Sequence, residues 1–451
     1  MRSFFRAILT VLLVAAALTQ HQAVAQSKLA PIKFTDTRLS NGLRILVAED
    51  HYAPIYAICV AYGVGSKDEV AGRTGFAHLF EHMMFKGSEN VGPGEHFFTI
   101  FNYGGNMNGT TNSDRTVYFE TMPKNQLDAG MFLESDRMRS LAITAENLEN
   151  QRQAVKEERR LRMDNQAYGP SSERLNELLF DGFGYHHSVI GSMADLDAAT
   201  VDDVKEFFRI YYAPNNAAVA IVGDVDTKEV LAKAEKYFGS IPRQPAPKPA
   251  DLSEPGHTKE RKERIQDKLA RVAQVTIAFP IPSDLSPDMP GLDALAMILG
   301  QGDSSRLYQK LVKEQQLCSA VTANDPSRLG PGSFQVTCRV APGKKIEDAE
   351  SLIEEEITNA MSAPVTDAEL KRVRTAMRRQ DVAIRTSVLG RALALAEGAI
   401  IFNDPNRINT SNERIATATP ADIQRVARKY LIPENRVILE TVPAAQTPAP
   451  R

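Results

Sequence analysis

Cysteine is scarce: Cys59, Cys318 and Cys338 are the only three among 451 residues. An odd trio in so long a chain excludes a scaffold built on disulfides and leaves room for one bridge. Cys59 falls in the apolar run IYAICVAYGV and reads as a core residue, because free cysteine packs as a small hydrophobe. No Cys-x-x-Cys pair is present, so a sulfur-ligated metal site is excluded too. Charge of one sign is also lacking, with 53 Lys and Arg against 56 Asp and Glu, which removes the electrostatic footprint of a nucleic-acid binder. The apolar N-terminal run Ala7 to Leu18 falls short of the roughly 20 residues that cross a bilayer. Arg2 and Arg6 precede it and the small residues Ala23 and Ala25 follow, which predicts an export signal, residues 1–25, removed after Ala25.

With 43% apolar residues the chain has enough hydrophobic material for two or more domains at roughly 100 to 200 residues each. The stretch from Gly42 to Glu69 reads as two strands joined by a turn, Leu43, Ile45 and Val47 alternating before Ala53 to Val60. A helix is expected from about Gly75, a strand over Thr116 to Met122, helices over Gln126–Arg139, Asn147–Met163 and Val201–Tyr212, and a strand over Asn216–Val222. That order predicts an α+β unit with helices against one sheet face. Residues 241–262, rich in proline and charge, read as a linker. Beyond them the text repeats: Thr200 to Pro214 and Asn216 are matched at an offset of 219 by Thr419 to Pro433 and Asn435, and Thr144 with Leu148 by Thr366 with Leu370. The expected organisation is therefore two copies of one fold, 26–240 and 263–445, with a short tail at 446–451.

His78-Leu79-Phe80-Glu81-His82 is the chemical signal of the first copy. At about 100° per residue its three polar side chains share one helix face, while Leu79 and Phe80 point elsewhere. Two imidazoles one turn apart can grip a Zn²⁺ ion. A catalytic site adds one ligand from another element and keeps a position open, and Glu81 is then left to accept a proton from water. In the repeat register His78, Glu81 and His82 become Asp293, Ala296 and Met297, so only the first copy carries this chemistry. The bland alternative is a pair of satisfied structural histidines with a partner glutamate.

The pentapeptide, the stretch Val155-Lys156-Glu157-Glu158 that follows it at a distance, and the segment Gly104 to Pro123 together resemble the inverzincin peptidases of the pitrilysin and insulinase class, M16, which includes mitochondrial processing peptidase. The resemblance runs over nearly the whole chain after the signal. It implies two homologous halves, each a mostly antiparallel sheet packed against helices and together forming half of a clam-shell chamber. It also implies one zinc ion per chain held by His78, His82 and Glu158, with Glu81 as the catalytic base. Glu157 is the rival ligand, turned by about 100° from Glu158 on a helix. Relatives carry a second carboxylate seven residues before the ligand, where this chain has Gln151. Their strand edge beside the metal pairs with an extended peptide, which makes Asn108 the candidate substrate contact. A role for Asn108 in a turn is the competing reading.

Relatives also place an Arg and a Tyr in the second half, where this chain has Val312 and Ser319, neither able to replace them. By resemblance, a second M16-like subunit supplies those donors and the pair cleaves extended or unfolded peptides in the periplasm. The alternative is a non-hydrolytic assembly subunit, a fate that usually accompanies loss of a metal ligand. His186 and His187 are adjacent on an expected extended segment, where side chains diverge, and are set aside as ligands. The glycines of Gly104 to Gly109 lack the sequence context of a phosphate-binding loop.

Overall fold

In the computed structural model, residues 29–326 and 328–444 are described; the expected signal, 1–25, and tail, 446–451, lie outside them. The first half supplies strands β1 (Thr35–Arg38), β2 (Arg44–Glu49), β3 (Ile55–Tyr62), β4 (Asn106–Thr111), β5 (Thr116–Pro123) and β6 (Ala217–Gly223). Its helices of eight residues or more are α1 (Phe76–Met83), α2 (Glu95–Asn102), α3 (Leu127–Arg139), α4 (Ala145–Arg159), α5 (Gly169–Leu179), α6 (Val201–Tyr211) and α7 (Thr227–Phe238). The second half supplies β7 (Arg261–Asp267), β8 (Gln274–Ile281), β9 (Cys318–Asn324), β10 (Gly332–Val340) and β11 (Val437–Pro443). With them go α8 (Met289–Gly300), α9 (Ile346–Ser362), α10 (Asp367–Thr386), α11 (Val388–Ile401), α12 (Arg407–Ala416) and α13 (Pro420–Tyr430).

The two sheets run β1-β2-β6-β3-β5-β4 and β7-β11-β8-β10-β9. In each, one parallel pair, β2 with β6 and β7 with β11, is followed by antiparallel neighbours. Apart from β1 the topologies coincide, so the repeat read in the sequence is a repeat in space. Its clearest match has a local cause. Thr200 and Thr419 each cap a helix through reciprocal bonds with Asp203 and Asp422, and a Pro-Asn turn then feeds the central strand.

β2 and β3 are two strands joined by a turn, as expected, and β6 lies between them in the sheet. Strand β6, AAVAIVG, is buried at every residue and takes the central place that an all-apolar strand requires. One expectation is corrected: helices are not confined to one sheet face. Tyr56, Ile58, Val60 and Tyr62 of β3 pack into the first half's own core, with Val219 and Ile221 of β6. The alternate residues Ala57, Cys59, Ala61, Ala218 and Ala220 are equally buried but face the other way. The helix packed on β3 and β6 from that side is α11, from the second half.

The exchange is reciprocal. Helix α5 packs on β7, β8 and β11, where Leu175 and Leu179 meet Ala278, Val437 and Leu439. The start of α11 follows that of α5 by 219 residues, the offset of the repeat. Each half therefore covers the outer face of the other's sheet with the equivalent helix, and the described residues from Phe34 onward form one compact unit. Small residues suit a close approach: Ala57, Ala61, Ala218 and Ala220 of the strands and Ala392, Ala396 and Ala399 of α11 are all buried where the helix packs on β3 and β6. Fully buried Leu395 adds roughly 1.5–3 kcal/mol. Polar ties run across the same seam: Ser171 to Thr441 at 2.7 Å, Arg174 to Glu263 at 2.6 Å and Arg115 to Glu397 at 2.6 Å.

Cys318 and Cys338 form a disulfide that staples edge strand β9 to β10 across a separation of 20 residues, while Cys59 stays free and buried. A loop of that length corresponds to about 3 kcal/mol in the chain-entropy account. Replacing both bridged cysteines with serine is expected to lower unfolding stability by about 2–4 kcal/mol. Denaturant unfolding of oxidised, reduced and Ser/Ser protein measures this, with the reduced protein falling beside the double variant.

Candidate metal centre

Helix α1 is fixed at its start by two glycines and a carboxylate. Gly75 and Gly191 have φ of 86° and 75° and lie back to back, so that a Cβ on Gly191 would come within 2.4 Å of the Gly75 Cα. Only glycine fits such a contact at positive φ. Glu69, buried, accepts hydrogen bonds from the backbone N–H of Gly75 at 2.9 Å and of Ala77 at 2.8 Å, satisfying donors that a helix N-terminus leaves open. Burial pushes the Glu69 carboxyl well up, against those two bonds. Phe76, Ala77, Leu79, Phe80 and Met83 bury one face of α1, with the Phe80 ring 4.4 Å from that of Tyr212. His78, Glu81 and His82 are left on the opposite face.

Helix α4 brings the third donor. Thr144 caps it by accepting from the Asn147 N–H, and Leu148, Gln151 and Val155 are buried along it. Arg152 donates to the Leu196 carbonyl at 2.9 Å and Arg159 to that of Gly191 at 2.6 Å, so the helix is tied to the segment that also holds α1. Glu158 lies in its last turn. The Glu158 Oε2 is 3.2 Å from His82 Nε2 and 3.6 Å from His78 Nε2, and the three donor atoms all fall within 4.8 Å of one another. Glu157 points away, exposed and paired with Arg160 at 2.9 Å. The expected trio is thus brought together, and the rival carboxylate is not part of it.

Electrostatics suit a cation. Burial, then the neighbouring His82, holds the His78 imidazole well below its usual range and so neutral, with a lone pair to offer. The hydrogen bond from His82 holds Glu158 below the carboxylate range against partial burial. Two imidazole nitrogens and a carboxylate oxygen are a donor set that fits zinc, with three protein ligands and room for a fourth. Glu158 Oε1 is held by Arg162 at 2.6 Å. A second cluster, His96, Glu120 and Glu134, also has donors within 4.8 Å, but the buried Arg137 guanidinium is bonded to Glu134 and already supplies its cation.

Glu81 stands beside the trio. The Thr111 hydroxyl donates to its Oε2 at 2.6 Å, and burial pushes its carboxyl upward. Gly109 makes room for it: a Cβ there would lie 3.0 Å from Glu81 Cγ. Both Gly109 and Thr111 belong to β4, the last strand of its sheet, which among the described residues pairs only with β5. Asn108 lies exposed on this strand rather than in a turn, and its side-chain oxygen accepts from the Gly109 N–H at 2.9 Å, a donor the ladder leaves free. His78, Glu81, His82, Glu158, Gly109 and Gln151 line one cleft of about 610 Å³.

Other sequence candidates sit elsewhere. His186 bonds the Phe180 carbonyl at 2.7 Å, and His187 lies 3.6 Å from Glu69, behind α1. Val312 packs against the second core, and the Ser319 hydroxyl donates to the Arg339 carbonyl at 3.2 Å. Neither lines the cleft. In the second half Ala296 and Met297 are core residues, and Gln380 lines a separate cleft of about 460 Å³. Sequence reasoning missed Glu69, Gly109 and Thr111 as parts of the site. Only the glycine, inside a strand segment beside the motif, carries a readable hint of close approach.

Comparison with known proteins places this geometry. Residues 44–182 match the family model described as insulinase, peptidase family M16, and residues 198–377 the model described as the M16 inactive domain. All four of His78, Glu81, His82 and Glu158 lie in the first segment. Among curated proteins the chain is 29% identical over 425 residues to a zinc protease, PqqE, of Helicobacter pylori, covering 93% of this chain and 94% of that one. It is 25% identical over 417 residues to a probable mitochondrial-processing peptidase subunit beta of Schizosaccharomyces pombe, covering 88% and 89%. The crystal structure of a protease from Helicobacter pylori superposes with a TM-score of 0.87 at 28% identity, covering 92% of this chain and all of that one. With two M16 models matching it in succession, over residues 44–182 and 198–377, the chain belongs to peptidase family M16, the insulinase family.

Proposed function

We propose that this chain is a zinc-dependent metalloendopeptidase that hydrolyses extended or unfolded peptide segments. The observation that carries the reading is the meeting of His78, His82 and Glu158 donors within 4.8 Å, beside Glu81 and under a free strand edge. His78 Nε2, His82 Nε2 and Glu158 Oε2 would hold the ion. Bound there, zinc supplies a Lewis acid for a peptide carbonyl and lowers the pKa of water. Glu81 accepts a proton from the attacking water and returns it to the leaving amine, with Thr111 keeping its carboxylate oriented through Oε2. The outward edge of β4 offers backbone groups to any extended peptide, and Asn108, whose amide now occupies the Gly109 N–H, exchanges that bond for one to the substrate backbone.

Two further parts of the reading rest on other residues. Val312 and Ser319 offer no donor group toward a substrate, which supports a second M16-like subunit as the source of Arg and Tyr, and hence a heterodimer. The Cys318–Cys338 bridge supports an oxidising compartment such as the periplasm, in line with the export signal expected at residues 1–25. Among the described residues no helix is long and apolar enough to cross a membrane.

Replacing His82 with Ala or Glu158 with Gln is expected to weaken zinc binding at least about 100-fold, while Glu157→Gln leaves it unchanged. Chelator competition followed by metal analysis reads both. Glu81→Gln is expected to retain zinc and lose roughly 10²–10⁴-fold in turnover, measured on a mixed-peptide digest of protein co-purified with its native partners. Light scattering on the isolated chain tests the pairing: a fully active monomer or homodimer defeats the heterodimer.

A further inference from the structure

The chain between the donor helix α4 and the exchanged helix α5 is under strain. Glu158 lies in the last turn of α4, and beyond Arg159 the coil widens into a π-type turn, Arg160–Asp164, where the Asn165 N–H reaches five residues back to the Arg160 carbonyl at 2.8 Å. Such turns occur mostly at functional sites. The turn runs tightly against the start of α5: a Cβ on Gly169 would come within 2.0 Å of the Met163 carbonyl oxygen. Between them Tyr168 takes a φ of 67°, a left-handed conformation that a bulky residue keeps only where its surroundings impose it. Three contacts from the second half do so. The Tyr168 N–H donates to Asp267 Oδ2 at 2.6 Å, its hydroxyl donates to the Val272 carbonyl at 2.9 Å, and the Arg339 guanidinium lies 4.8 Å from its ring centroid. Asp267 is itself buried and aimed, because its other oxygen accepts from the Leu269 N–H at 2.7 Å and the Ala270 N–H at 3.2 Å. From Tyr168 the support returns to the donor trio. Helix α5 begins at the next residue, Glu173 within it accepts from both terminal nitrogens of Arg159 at 2.6 and 2.8 Å, and Arg159 adjoins Glu158.

Resting on the zinc reading of the trio, we propose that Tyr168 and Asp267 are positioning residues of the metal centre, a latch by which the second half holds Glu158 against the two imidazoles. His78 and His82 share one helix, so helical period alone keeps their spacing. Glu158 comes from another helix, at an end where the regular ladder gives way to the wider turn, so its setting has to be imposed from beyond that turn. Arg162 belongs to the turn and bonds Glu158 Oε1 at 2.6 Å, so a shift of the turn pulls directly on the ligand. The strain at Tyr168 gives the latch its direction. Released by Asp267, residue 168 relaxes to an ordinary φ and draws the start of α5 and the turn away from their present places. The half that carries no donor trio is in this way a determinant of zinc affinity in the half that does.

Zinc affinity of the full-length protein with its co-purified partner, read by chelator competition, tests the latch. Asp267→Asn keeps the size of the side chain, but an amide cannot accept hydrogen bonds on both sides, and zinc binding is expected to weaken at least about tenfold. Tyr168→Phe loses only the bond to Val272, weakens binding by roughly threefold, and carries the test if the first variant does not fold. Arg174→Gln cuts the tie to Glu263 across the same seam without touching the latch, and leaves zinc binding unchanged. In a Glu158→Gln background Asp267→Asn makes no further difference, because the latch acts through Glu158. Hydrogen exchange on the zinc-free protein adds a readout that needs no metal: Asp267→Asn is expected to speed exchange over residues 155–168 and to leave α1 as protected as before. Unchanged affinity in both Asp267→Asn and Tyr168→Phe, an equal loss in Arg174→Gln, or a further loss of the same size on Glu158→Gln overturns the latch and leaves the zinc reading standing. A wild-type protein that binds no zinc removes that reading, and exchange over residues 155–168 then decides the latch by itself.

Discussion

One helix crossing governs the centre. His78 and His82 project from successive turns of α1, and Glu158 from the last turn of α4, so the three donors coincide only while the two helices hold one mutual setting. A slip of α1 by a single residue would rotate its side chains by about 100° and shift them by about 1.5 Å, enough to swing His82 away and bring a core-facing residue into the cleft. The Gly75–Gly191 contact and the Glu69 carboxylate fix the rotation from one end. Arg159, bonded to the Gly191 carbonyl, fixes α4 to the same point. Both halves of the donor set are thus referred to one short stretch of backbone, which is how a site assembled from distant sequence can be stiff.

Stiffness at the crossing in turn needs a sheet that does not flex beneath it, and this is where the exchanged helices matter. A sheet covered on one face only would leave Ala57, Cys59, Ala61, Ala218 and Ala220 in water. Instead α11 lies on them, and α5 performs the same service for the second sheet. The half without the donor trio is therefore not an appendage, since the outer face of the first sheet is completed by it. Arg115, which pairs with Glu397 of α11 and donates to the Thr110 carbonyl at 3.0 Å, carries that support to the base of β4 and so to the edge beside Glu81.

What the sequence discloses follows from what is local. Caps are local, and Thr144, Thr200, Thr366 and Thr419 each open a helix where the repeated text places them. The face shared by His78, Glu81 and His82 is local, since it depends only on helical period. Glu158 is legible through resemblance, and helix facing separates it from Glu157, which is turned away to Arg160. The exchange of α5 and α11 is not local: nothing in VLGRALALAEGAII says which sheet will receive it. Strand β4 is hidden for a different reason, because Asn106, Asn108 and Gly109 have poor strand propensity and the segment is held extended by the ladder of β5. The pairing of Cys318 with Cys338 likewise required knowing that β9 and β10 are neighbours.

The two copies show what a polar helix face costs. In α8, the counterpart of α1, every residue except Pro290 and Asp293 is buried, and Ala296 and Met297 fill the core where α1 carries Glu81 and His82. That copy gains packing at those two positions and keeps one polar group, the Asp293 carboxyl, at the place of His78. The first copy forgoes that burial and must answer each group in turn: Thr111 for Glu81, Arg162 for Glu158, Glu69 for the helix start. Burying such groups unanswered would cost several kcal/mol. Retention of the polar face with its supporting groups in one half, and the replacement of Glu81 and His82 by alanine and methionine in the other, is the pattern expected when the polar face serves chemistry, because packing alone favours the second copy's solution.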